Sequence, residues 1–328
     1  MTYAIDPELD ALLALLPATD VGYPLKARAD LRSFIDRLPA PSLDGLLVDN
    51  ALVRSLTEDH EVPVRVYRPA GQADAPRPAI LYIHGGGFVT GDLDTEEGSA
   101  ATLARALEAV VVSVDYRLAP EHPYPAALED CYTTLVWLGQ QADELGLDPT
   151  RIAVHGQSAG GGLAAAVALL TRDRSGPQLV FQFLGIPELD DRLQTVSMRA
   201  YVDTPVWHLA NAEKSWAAYL RKTTQPGSPD VPVYAAPARA ENLTGLPPTC
   251  VTLCQFDPLR DEGMEYARRL AQANVPVELH LYPGTFHGAA ALPQTAVSQR
   301  MNADTLEVLK RAFGLETPEV PAVVGAAE

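Results

Sequence analysis

The sequence predicts an α/β protein built on a mostly parallel sheet. Six short apolar runs, at 79–83, 109–116, 151–156, 179–185, 249–255 and 277–282, alternate with stretches of helical spacing. Continuous apolar runs separated by helices mark strands covered on both faces. Two earlier runs, "LLVDNALVRS" and "EVPVRVYRP", follow one another with no helix between them and read as an antiparallel edge. The composition agrees: 328 residues, 47% apolar and 20% charged, are ample for one large core.

The elements follow in order. Leu9, Leu12, Leu13 and Leu16 recur at helical spacing after Asp6-Pro7, which reads as an N-cap followed by proline at the first position. Leu31, Phe34, Ile35 and Leu38 predict a second helix. Residues 1–45 therefore read as a helical attachment outside the α/β alternation. The core begins at 46 and runs to 187. Residues 188–245 are far longer than an ordinary crossover and carry Tyr201, Trp207, Trp216 and Tyr219. Long connections in compact domains are usually functional, so this insertion and the N-terminal helices are expected to form a cap. The core resumes over 246–315, and the proline- and alanine-rich tail, 316–328, is expected to be disordered.

A formal charge of −17 repels an extended nucleic-acid backbone, and no basic patch offsets it. No stretch approaches the eighteen or so apolar residues of a membrane span, and acids rather than lysines precede the first apolar stretch. Of the three cysteines, Cys250 and Cys254 share one strand, where their separation of about 13 Å forbids a disulfide. Reduced, buried thiols and a cytoplasmic location are expected.

The chemistry centres on "VHGQSAGGG", Val154 to Gly162. Ser158 stands between a strand and a helix, with Gly156 and Gly160 flanking it. That is the context of a nucleophile elbow, where a sharp turn lifts a hydroxyl above the strand ends. Two other readings stand beside it. One is a purely structural tight turn. The other is a near miss to a dinucleotide-binding loop, but no acidic residue ends a strand about twenty positions on. "HGGGF", upstream, supplies Gly85, Gly86 and Gly87, whose amides could face a developing oxyanion together with that of Ala159. His84 is expected to brace this loop. After the last two parallel runs come Asp257 in "FDPLRDEG" and His287 in "PGTFHGA", giving the order serine, acid, histidine. Asp261 and Glu262 rival Asp257 but fall a turn into the next helix. His280 is expected to be a satisfied core residue. Phe88, Trp207 and His208 are candidates to line a substrate pocket.

With these residues in place the chain resembles the bacterial hormone-sensitive-lipase-like esterases, an α/β-hydrolase family. The "HGGGF" loop, the "SAGGGLA" elbow, "DPLRDEG", the "YPGTFHG" ending and "YRLAPEHPYPAALEDCY" carry the resemblance, over roughly residues 45 to 313. It implies an eight-stranded sheet with helices on both faces and a helical cap. It also implies hydrolysis of short- to medium-chain carboxylic esters through an acyl-enzyme, with a small-molecule ester as partner and with no cofactor or metal. Ser158, Asp257 and His287 match the family's triad, and the glycine loop and Ala159 its oxyanion donors. A homodimer through the last strand is implied too. Two positions depart from the pattern: Gln157 replaces the usual acid before the serine, and Ala289 replaces a bulky apolar residue, which suggests a roomier pocket. The alternative on the same fold is a catalytically inactive protein that binds small molecules.

Overall fold

The computed structural model describes residues 3–17 and 20–315. The tail expected to be disordered lies outside them. The strands are β1 (Leu46–Arg54), β2 (Glu61–Pro69), β3 (Arg77–Ile83), β4 (Val110–Val114), β5 (Leu147–Gln157), β6 (Leu179–Gly185), β7 (Thr249–Phe256) and β8 (Val277–Phe286). They form one eight-stranded sheet in the order β1-β2-β4-β3-β5-β6-β7-β8. β1 pairs antiparallel with β2, and β2 with β4, so the first two strands make the antiparallel edge; every other pairing is parallel.

The helices are α1 (Pro7–Asp10), α2 (Pro24–Ile35), α3 (Glu97–Ala106), α4 (Ala126–Gln140), α5 (Ala142–Leu145), α6 (Ala159–Asp173), α7 (Val196–Ala200), α8 (Leu209–Tyr219), α9 (Arg260–Gln272) and α10 (Ala296–Phe313). Strand side chains alternate between two cores, as a period of two requires. Ala79, Leu81 and Ile83 pack with α4, α6 and α9 on one face. Ile80 and Tyr82 pack with α3 and α10 on the other.

The N-terminal leucines behave differently from the prediction of one continuous helix. Asp6 caps α1 as expected, its side chain accepting from the Glu8 amide, but α1 lasts one turn and a 3-10 turn follows at Leu13–Leu15. Leu16 precedes Pro17 and is extended, with ψ 142°, because proline disfavours helical geometry in the residue before it. Leu9, Leu12, Leu13 and Leu16 still pack together, against Tyr282, Phe286 and Ala289. The helical spacing of those leucines reflects a shared buried face, which a turn and a 3-10 segment present equally well.

Ala289 lies inside that same cluster, fully buried. It packs there among Leu9, Tyr282 and Phe286. Val21 packs with Met198, Trp207 and Ala212, and Lys214 reaches Asp20 at 2.7 Å, so the N-terminal segment and the 188–245 connection lie on each other. All three cysteines are free and buried. No described helix is long and apolar enough to cross a membrane.

Candidate active site

β5 ends at Gln157 and α6 begins at Ala159, so Ser158 alone makes the turn. Its backbone sits at φ 55°, ψ −122°, a strained conformation for a residue with a Cβ. Hydrogen bonds hold it there. The Ser158 amide donates to Gly185 O at 2.8 Å, and its carbonyl accepts from the Gly162 and Glu188 amides, each at 3.0 Å. The two flanking glycines are dictated by space. A Cβ on Gly156 would stand 2.0 Å from the Gly160 carbonyl oxygen, and one on Gly160 would stand 2.2 Å from that of Ile83. Only glycine lets the backbone cross itself this closely.

The sheet brings three distant side chains together here. His287, just beyond β8, places Nε2 2.8 Å from Ser158 Oγ. Its Nδ1 lies 2.8 Å from Asp257 Oδ2, just beyond β7, and Asp257 Oδ1 accepts from the Leu259 amide at 2.9 Å. All three residues are buried. The rival acids are occupied elsewhere. Asp261 accepts from the Ser197 amide, and Glu262 from the amides of Leu189 and Asp190.

Beside them runs the loop after β3. The Gly85 amide donates to Glu96 Oε1 at 2.8 Å. Gly85 is therefore corrected as an oxyanion donor, because its N–H is already spent on a carboxylate. The amides of Gly86, Gly87 and Ala159 meet no acceptor among the described residues. The Gly86 carbonyl is held by the amides of Val89 and Thr90 and by the Thr90 hydroxyl, which fixes the peptide that presents the Gly87 N–H. His84 braces the loop as expected: Nδ1 lies 2.7 Å from Gly85 O and the ring stacks on Tyr116 at 4.2 Å. Burial pushes its pKa down to about 4, so it is a neutral brace.

The pocket candidates divide. Trp207 stacks on His287 with centroids 5.7 Å apart, and its ring leaves no room for a Cβ on Gly87. Phe88 is corrected: its ring is buried against Tyr219, stacked at 4.0 Å, and serves the core. His208 precedes α8, and no hydrogen bond or ring contact among the described residues joins it to the Ser158–His287 pair. His280 is half-buried on the edge strand, between Glu278 and Tyr282, and not in the core; His155, by contrast, is buried, stacked between Tyr82 and Phe183. Gln157 lays its amide over Gly185, where a Cβ would meet Oε1 at 2.0 Å.

Two acids beside the loop escaped the sequence reading. Glu96 holds the Gly85 amide and receives the Tyr82 hydroxyl, and burial raises its pKa. Glu188 is fully buried and bonded to Ser215 Oγ at 3.0 Å. Nothing in the local pattern around "TEEG" or "PELD" signals that these acids turn inward.

A family model described as the alpha/beta hydrolase fold matches residues 80–291. Carboxylesterase NlhH of Mycobacterium tuberculosis is 40% identical over 318 residues, 94% of this chain and 96% of that protein. Esterase LipI of the same organism is 45% identical over 69% of this chain and 70% of its own length. Among solved structures, one titled "Bacterial Heroin Esterase" superposes with a TM-score of 0.90 at 48% identity, covering 94% of this chain and 98% of that one. Relatives this similar over most of their length do not favour the inactive alternative. The chain belongs to the hormone-sensitive-lipase-like esterases of the α/β-hydrolase family, and it is a carboxylic ester hydrolase.

Proposed function

We propose that Ser158 is the nucleophile of this hydrolase, with His287 as its general base and Asp257 as the group that orients the imidazole. The observation that carries the reading is the unbroken chain of contacts, 2.8 Å from Ser158 Oγ to His287 Nε2 and 2.8 Å from His287 Nδ1 to Asp257 Oδ2. Ser158 Oγ attacks the ester carbonyl as His287 takes its proton. Asp257 holds Nδ1–H and stabilises the imidazolium. The amides of Gly86, Gly87 and Ala159 receive the tetrahedral oxyanion; their freedom from other acceptors and the dipole of α6 support that role. His287 then protonates the leaving alcohol, and water repeats the sequence on the acyl-enzyme.

Substrates of short to medium acyl chain fit a site whose serine is largely covered, and the N-terminal segment, 1–45, together with the 188–245 insertion acts as its cap. A cytoplasmic location fits three free thiols. A homodimer through β8 fits an edge strand with Leu279 and Leu281 exposed. The test is a serine-reactive phosphonate followed by peptide mapping. A stoichiometric adduct on Ser158 supports the reading, and an adduct elsewhere, or none, rejects it.

A further inference from the structure

The loop proposed to bind the oxyanion is clasped at both ends by carboxyl groups, that of the half-buried Glu96 and that of the fully buried Glu188. Glu96 holds the Gly85 amide directly. At the other end the contact passes through a hydroxyl. Ser215 Oγ on α8 lies 2.9 Å from the Gly87 carbonyl oxygen and 3.0 Å from Glu188 Oε1. A serine hydroxyl carries one hydrogen and can donate to only one of these acceptors. If Ser215 donates to Gly87 O, its contact with Glu188 is a hydrogen bond only when Glu188 is the donor. A carboxyl group donates only when it is protonated.

We propose that Glu188 is a positioning residue for the oxyanion loop: as the neutral acid it donates to Ser215 Oγ, which in turn donates to the Gly87 carbonyl. This rests on the catalytic reading above and adds a residue to it.

The surroundings of Glu188 fit a neutral acid. The residue is fully buried, and its Oε2 has no partner. Its own amide donates to the Ser158 carbonyl, so its backbone is fastened to the elbow while its side chain is fastened to the loop. Asp257, just beyond β7, and Glu262 of α9 are the titratable groups that bear on it, both of them acids, and burial pushes the Glu262 pKa well up as well. Ser215 and Tyr219 of α8 and Tyr116 after β4 face it as uncharged groups. No arginine or lysine pairs with it among the described residues. Burial accordingly pushes its pKa up to about 8. Above that pH the charged carboxylate draws the Ser215 proton to itself. The Gly87 carbonyl then loses its donor, and a second buried negative charge stands near Asp257. Both effects weaken the oxyanion site.

The experiment is the pH profile of kcat/KM from pH 6 to 9.5 with p-nitrophenyl butyrate, for the wild type, Glu188→Gln and Ser215→Ala. Folding of each variant is checked by thermal melting. The wild type should rise with pH and then fall above about pH 8. Glu188→Gln keeps a donor toward Ser215 but cannot ionise, so its alkaline fall should disappear. Ser215→Ala cuts the relay, and its kcat should drop about tenfold with KM within about twofold, the size of one lost hydrogen bond. A wild-type profile level to pH 9.5, a Glu188→Gln profile that still falls, or a Ser215→Ala enzyme with wild-type kcat would each overturn the relay. The wild-type profile decides even if a variant does not fold. Ser158→Ala separates the two failures: an inactive Ser158→Ala beside an unchanged Glu188→Gln profile sinks the relay alone, whereas an active Ser158→Ala sinks the catalytic reading beneath it.

Discussion

Asp257 Oδ2 and His287 Nδ1 lie 2.8 Å apart across 30 residues of sequence, joined only because β7 and β8 are parallel neighbours that end side by side. An amide at position 257 would offer Nδ1 a donor where it needs an acceptor and would favour the wrong tautomer. Asp257→Asn should therefore lower kcat by about four orders of magnitude, the scale of the equivalent change in serine proteases. Asp261→Asn should stay within about tenfold, since Asp261 serves the Ser197 amide. Steady-state kinetics of the pair decide; a collapse at Asp261 with Asp257→Asn still active would reassign the orienting acid.

The glycines can be sorted by what surrounds them. A methyl group on Gly160 would meet the carbonyl oxygens of Ile83 and His84 at 2.2 and 2.4 Å, in backbone at the middle of the sheet. Gly160→Ala should cost about 3 kcal/mol or more, or fail to fold. Gly139, inside α4, has its nearest neighbour at 3.6 Å, so Gly139→Ala should add roughly 0.5–1 kcal/mol. Urea denaturation of the two variants tests the contrast, and equal midpoints would contradict it.

Two imidazoles are buried neutral. Burial holds His84 down at about 4 and His155 down at about 3. Below the unfolded value of about 6.5 the unfolded chain takes up protons that the folded chain refuses, so stability falls as pH drops from about 6.5 toward 4. His155→Phe keeps the stack between Tyr82 and Phe183 without a titrating nitrogen. Its urea midpoint should fall less than that of the wild type between pH 6.5 and 4.5. Parallel slopes would show that His155 does not carry the effect.

Trp207 packs against both Gly87 and His287, so it limits the space beside the Ser158–His287 pair. Trp207→Ala should shift preference toward longer chains. The ratio of kcat/KM for p-nitrophenyl octanoate over acetate should rise about tenfold, the worth of one or two well-packed methylenes. An unchanged ratio in a graded ester panel would remove Trp207 from the pocket.

The sheet was legible because burial on both faces leaves continuous apolar runs: five of the six lie within a strand of the structure, and the sixth, 109–116, overruns β4 at both ends. Ser158, Asp257 and His287 were legible because glycines and loop ends mark where a chain must turn. Their convergence was readable only through the order of the motifs. What stayed hidden depends on contacts that composition does not encode. Phe88 follows the glycine loop in sequence, yet its ring turns into the core. Gly85 shares its neighbours' residue type, but Glu96 claims its amide. Glu188 looks like any surface acid in "PELD", and only the three-dimensional packing of α8 over the loop reveals where its carboxyl goes.

The amide of Asp6 donates to the carbonyl of Gly284 at 2.9 Å, and Leu9 packs beside Phe286, so an early segment of the chain pins the loop that carries His287. Contacts spanning so much sequence carry a loop-closure cost that local ones do not, and they form late. During refolding, the parallel strands should therefore reach native circular dichroism before any hydrolytic turnover returns, with a measurable lag between the two signals.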